Sequence, residues 1–169
     1  MSALLCTSIL TKIHEQIERT DHLLSMWPAQ RLDWAPSGNS WPAAKLLGHL
    51  LECLAGFCAV LAAVNPARAA DYTRLREMPV NHACPIPEAL DRLAVYRQHI
   101  DQGFALLCDA DLARAVPTVF VQDGESVLTL LLGNLEHLIN HKHQLFTYLK
   151  LMGVEVGTRD LYCFRGETN

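Results

Sequence analysis

The sequence predicts an all-α four-helix bundle, on three observations. Four segments space their apolar residues by threes and fours, the period of an amphipathic helix, and none sustains the alternation of a half-buried strand. Half of the 169 residues are hydrophobic and 19% are charged, which provides for one apolar core. The breaks between segments carry proline, glycine or a capping residue. A chain of this length is expected to fold as a single domain, 1–169, because one core can bury about 68–70% of the surface such a chain exposes when unfolded.

The first helix is expected over 2–26. Leu5, Ile9, Ile13, Ile17 and Leu24 share one face, while Lys12, Glu15, Arg19 and His22 lie elsewhere, and Trp27-Pro28 ends the run. The second starts at Ser40, a favourable N-cap, tolerates Pro42 in its first turn and continues to Val64, with Pro66 as its stop. The third opens near Pro87 and Glu88 and sets Leu90, Leu93, Tyr96, Ile100, Phe104 and Leu107 at bundle spacing. The fourth follows Asp123-Gly124, has Ser126 as its cap and runs to Met152, where Gly153 terminates it. Residues 36–39 read as a turn, and 65–85 and 116–124 as loops. Thr118-Val119-Phe120-Val121 and the tail near Tyr162 are candidates for short extended pieces. Unequal loops allow one connection to cross over, so a symmetric up-and-down bundle is not implied.

Composition excludes several function classes. A net charge of −4 and a pI near 6.0 offer phosphate backbones no attraction, so no nucleic-acid partner is expected. Six cysteines without a Cys-x-x-Cys pair, in a chain able to form a core, point to reduced thiols and a cytoplasmic location. The start, Met1 through Cys6, has no basic stretch and no cleavage-site pattern, so a signal peptide is not expected. Residues 46–64 approach the length of a membrane span, yet contain His49 and Glu52, with Lys45 just outside. An ionisable group near a bilayer centre costs at least about 2.5–3.5 kcal/mol, so a buried helix is the better reading and no membrane is expected. So little polar surface on helix two also suggests a homodimer through that helix or its neighbours.

Counting at about 100° per residue separates the faces of helix four. Thr129, Gly133, Glu136, Asn140, His143, Thr147 and Lys150 form the water-facing stripe, and Val127, Leu131, Leu138, Leu145 and Met152 the core stripe. His137 and His141 fall between, His141 turned further inward, with Tyr148 continuing the line. Four residues apart, their imidazoles are neighbours and can converge on one ion. The pattern by itself is weak: eight histidines in 169 positions give about 0.4 such pairs by chance. Histidines at a bundle edge, bonded to water, would show the same spacing. A third ligand must come from another helix, and helix two supplies His49, flanked by Lys45, Glu52, Cys53 and Gly56; the same residues could equally be the narrow wet stripe of a buried helix. Glu52 is placed to orient a ligand, to accept a proton, or simply to be solvated. Cys53 is either a soft fourth ligand or a small core filler. Di-iron carboxylate chemistry is excluded by the lack of any Glu-x-x-His, and no Gly-x-Ser-x-Gly, phosphate-binding glycine loop or His-Glu-x-x-His occurs.

Two segments together resemble the DinB-like (YfiT-like) family of metal-dependent bundle enzymes. Ser40-Trp41-Pro42-Ala43-Ala44-Lys45-Leu46-Leu47-Gly48-His49-Leu50 is similar to the family's opening of helix two, which leads into a ligand histidine. His137-Leu138-Ile139-Asn140-His141-Lys142-His143-Gln144, followed by Tyr148-Leu149 and Gly153, is similar to its last-helix motif. The order also fits at Asp109-Ala110-Asp111-Leu112. Lys142 and His143 stand where the family usually has Arg-Gly. The resemblance implies a bundle, commonly dimeric, holding one divalent ion (nickel, zinc or iron) on His49, His137 and His141. The chemistry implied is transfer of a low-molecular-weight thiol to an electrophile, or hydrolysis of a small-molecule substrate, with Glu52 the candidate catalytic proton acceptor. The rival expectation is a non-catalytic metal-binding or ligand-sensing bundle.

Overall fold

The structure, a computed structural model, describes residues 4–68, 82–117 and 122–162. Four long helices dominate it: α1 (Leu4–Ser25), α2 (Ala43–Val64), α3 (Ile86–Phe104) and α4 (Val127–Leu151). A short α5 (Thr158–Tyr162) follows. α2 packs on α3 and α4, and α1 packs on the same two helices, so α1 and α2 occupy opposite corners of the bundle. The connection over 26–42 therefore crosses the bundle diagonally.

α1 buries Ile9, Ile13, Ile17 and Leu24 as its spacing predicts, but Leu5 is 45% exposed. Cys6, three residues before Ile9, takes the inward place of that turn. The Asp109 carboxylate caps this end from the segment after α3, accepting from the Leu5 and Cys6 N–H groups at 3.1 and 3.0 Å. Along the α1–α3 seam, His14 meets Asp101 at 2.5 Å and Arg97 donates to Glu18 at 3.1 Å.

α2 begins at Ala43, three residues later than expected, and Ser40 does not cap it. Tertiary structure supplies the cap instead. The Trp34 and Leu32 carbonyls accept from the Ala43 and Ala44 N–H groups at 2.9 and 2.8 Å, while the Ser40 hydroxyl bonds Ser37. Apart from Ala44, every residue of α2 that is not buried lies on one line: Lys45, His49, Glu52, Gly56, Ala59 and Ala63. α2 is long and apolar enough to cross a membrane, but 67% of its most apolar window is buried within the chain. Most of the apolar surface of α2 is thus covered by α3 and α4. Gly48 is required where it stands, because the His82 backbone carbonyl occupies the space a Cβ would fill.

α3 turns Leu93, Tyr96, Ile100 and Phe104 into the core, with Leu107 just beyond it, and leaves Leu90 half-buried. α4 follows its expected outline. Ser126 accepts from the Thr129 N–H at 3.1 Å as an N-cap, a contact that contributes about 1 kcal/mol. Gly153 follows the helix at φ 81°, a conformation glycine adopts without strain. The seven polar-stripe residues are exposed, and Val127, Leu131, Leu138 and Leu145 are buried. Ala115–Val116 pairs antiparallel with Glu125–Ser126; the candidate strand at 118–121 lies outside the described residues. The tail near Tyr162 is helical rather than extended. Asp160 accepts from the Gly157 N–H at 2.8 Å and contacts His22 at 3.0 Å, Leu161 is buried, and Lys142 donates to the Leu161 carbonyl at 3.4 Å.

Candidate metal centre

The seam between α2 and α4 brings the three predicted histidines together. The diagonal crossing sets α2 beside α4, so the wet line of α2 runs along the flank of α4 that carries His137 and His141. One ring nitrogen from each of His49, His137 and His141 lies within 4.8 Å of the others, a spacing able to hold an ion. Ring centroids are 4.4 Å apart for His49 and His141, 4.6 Å for His137 and His141, and 5.2 Å for His49 and His137. His137 is exposed and the other two are half-buried, so the group opens to solvent on the α4 side.

Hydrogen bonding turns the His141 ring to present a nitrogen inward. His141 Nδ1 donates to Gln144 Oε1 at 2.7 Å, which leaves Nε2 as the lone-pair nitrogen. His49 Nδ1 faces the Glu52 carboxylate at 3.7 Å, in ion-pair range, while its Nε2 lies 3.3 Å from His137 Nε2. One of those two nitrogens carries the proton the other accepts, and a cation would take its place. An outward Nδ1–H held by an oxygen acceptor with the Nε2 lone pair inward, as at His141, is the arrangement of a metal-ligating histidine, and with the nitrogens of His49 and His137 beside it the donor set fits a divalent ion. Burial, reinforced by His49, lowers the pKa of His137. Burial also lowers that of His141, partly offset by Gln144. Both shifts favour the neutral ring, the form that coordinates.

The other predicted residues divide plainly. Glu52 sits beside His49. Cys53 is buried behind the site and its thiol donates to the His49 carbonyl at 3.5 Å. Burial, with Glu52 second, pushes its pKa up to about 12, and its sulfur lies outside the three-histidine group, so in this structure it fills the core behind the site. His143 is exposed on the far stripe, against Phe146.

Three side chains assigned no role from the sequence complete the surroundings. Gln144 was within reach of sequence reasoning, since a residue three after a histidine on a helix is its neighbour. Trp41 meets the His49 ring edge-on at 5.2 Å, walling one side. Tyr148 fixes that wall: its hydroxyl donates to the Trp41 carbonyl at 3.0 Å, and its ring packs edge-on against Trp34 at 5.5 Å. These contacts join the 26–42 connection to α4, a link no local pattern encodes.

Comparison with known proteins agrees with the helical fold. Residues 12–145 match the DinB superfamily. Among solved structures, the chain is similar in fold to YjoA, a DinB-like protein from Bacillus subtilis. The TM-score is 0.69 at 20% sequence identity, over 94% of this chain and 99% of that one. No curated protein sequence matches the chain.

Proposed function

The chain belongs to the DinB superfamily, and on that premise we propose that it binds one divalent ion, nickel, zinc or iron, on His49, His137 and His141 and performs metal-dependent nucleophilic chemistry. The reaction is transfer of a small thiol to an electrophile, or hydrolysis of a small-molecule substrate. The observation that carries the proposal is the convergence of three imidazole nitrogens, with the His141 ring turned by its bond to Gln144 and the His49 ring facing the Glu52 carboxylate at 3.7 Å. Among the described residues the group contains no carboxylate or thiol. Three neutral ligands leave a coordination position open and the charge of the ion uncompensated, as in catalytic sites. Bound there, the ion would bring the pKa of water to about 7 and favour a thiolate over a thiol.

The chain's own groups do the rest. Glu52, adjoining His49, accepts the proton released by the nucleophile. Gln144 keeps the lone pair of His141 turned to the site. Trp41 excludes water from the side of His49. A cytoplasmic setting suits the free thiols of Cys6, Cys53, Cys58, Cys84 and Cys108.

Metal analysis of protein purified without a nickel column tests the site. About one divalent ion per chain is expected, lost in His49→Ala, His137→Ala or His141→Ala and kept in His143→Ala. Equal loss in the His143 variant would overturn the assignment. With an aryl halide or epoxide and a panel of cellular thiols, Glu52→Gln is expected to keep the ion and slow thiol consumption. An intact ion with no turnover for any thiol or hydrolysable substrate would make the protein a non-catalytic metal-binding or ligand-sensing bundle.

A further inference from the structure

Two cations lie along the same aromatic wall as the histidines. The Lys45 ammonium sits 4.6 Å from the centre of the Trp41 ring, one helical turn before His49. The Arg31 guanidinium sits 5.9 Å from the centre of the Trp34 ring, and Trp34 packs on Tyr148, whose hydroxyl holds the Trp41 backbone. Lys12, Arg19, Arg97 and Arg114 each pair with a carboxylate elsewhere on the molecule. Among the described residues, Lys45 and Arg31 have no carboxylate within ion-pair distance and lie over aromatic rings, as Lys150 does over Phe146 at 5.4 Å on the outer stripe of α4; what sets Lys45 apart is its place one turn before His49. The acid beside the site, Glu52, is turned to His49. A half-buried lysine one turn before a histidine that would hold a divalent cation raises the local potential and weakens cation binding unless the ligand that joins the ion is itself negative. Trp41 keeps the ammonium in place while leaving its N–H donors available, since a ring face satisfies charge but accepts few hydrogen bonds.

We infer that Lys45 is the anion-recognising residue of this site, and that the ligand is a small molecule bearing a carboxylate besides the thiol or oxygen it presents to the three histidines. Arg31 is the outer cation of the same wall. The inference rests on the metal-site reading above, and its test separates the two.

The first measurement titrates cobalt-loaded protein with mercaptoacetate and with 2-mercaptoethanol, its uncharged counterpart, following the visible absorption of the ion. Wild type is expected to prefer mercaptoacetate by about tenfold more than Lys45→Met does, the scale of one partly exposed charge-assisted contact. Lys45→Arg is expected to restore the preference. The second measurement needs no ion: malonate added to metal-free protein should give a saturable change in tryptophan emission in wild type and none in Lys45→Met. Failure to take up cobalt overturns the metal site and leaves the malonate titration to decide the role of Lys45. The inference is overturned by an unchanged thiol preference in Lys45→Met. Without cobalt uptake, it is overturned by a malonate response that wild type lacks or Lys45→Met keeps.

Discussion

Replacing Gln144 by leucine should weaken metal binding about tenfold while leaving the fold intact. Gln144 is exposed, and its described role is to accept from His141 Nδ1 at 2.7 Å. Its loss removes no buried contact, so the stability change should stay within about 0.5 kcal/mol. The metal should respond more strongly, because deleting the partner that orients a ligating histidine typically costs about 10–100-fold in affinity, or about 1.4–2.7 kcal/mol. The low end applies here. The His141 ring remains packed against His49 and His137 at centroid distances of 4.4 and 4.6 Å, so its rotation is only partly released. Protons do not confuse the reading at neutral pH, since His141 already lies below the ordinary histidine pKa and losing the Gln144 bond lowers it further. The assay is competition for zinc against a chromogenic chelator at neutral pH, with thermal melts as the folding control. Gln144→Glu, which keeps an acceptor for Nδ1–H, should hold or tighten binding. An affinity unchanged in Gln144→Leu would refute the claim that this bond presents His141 to an ion.

The lowered pKa values of His137 and His141 set the acid response. As pH falls, the unfolded chain takes up protons first, so the stability these rings contribute is complete above the unfolded value of about 6.5 and is lost as pH falls through the folded values. Melts of metal-free wild type should fall across that window and those of a His137→Asn/His141→Asn variant should fall less; parallel curves would refute this. Lys142 is 4% exposed, and burial, with Arg19 second, pulls its pKa to about 8 from 10.5. Between those values the unfolded chain holds more protons, so stability should rise with pH; Lys142→Met should remove the rise and melt higher at neutral pH, whereas a lower melting temperature would show that the Leu161 contact outweighs the burial cost. Finally, Leu132 and Ile139 are 47% and 39% exposed and continue a line with half-buried Leu128 and Leu135 on α4. The expected homodimer should use this stripe rather than α2, so sedimentation at micromolar concentration should show a wild-type dimer and a Leu132→Asp monomer; a monomeric wild type would end the proposal.

What was legible in the sequence was what is local. α4 could be drawn residue by residue because its cap at Ser126, its two faces and its stop at Gly153 depend on neighbours within a turn. The same rule placed His137 and His141 on one flank. Where tertiary contacts compete with local preference, local preference loses: Ser40 gives up the cap of α2 to the Leu32 and Trp34 carbonyls, and Cys6 takes the inward position expected of Leu5. The apolar character of α2 was equally plain, but periodicity gives the composition of a face and not the identity of what covers it. An apolar face of this kind can serve an internal seam or a subunit surface, and most of this one lies in the seam with α3 and α4. The site depends on the same long-range choice. His49 sits on the wet line of α2 and the other two histidines on the flank of α4, and the loop lengths would also allow α2 to lie beside α1. Three histidines become one site because the 26–42 connection carries the chain across the bundle, and Tyr148, gripping the Trp41 carbonyl from α4, is among the contacts that hold this arrangement closed.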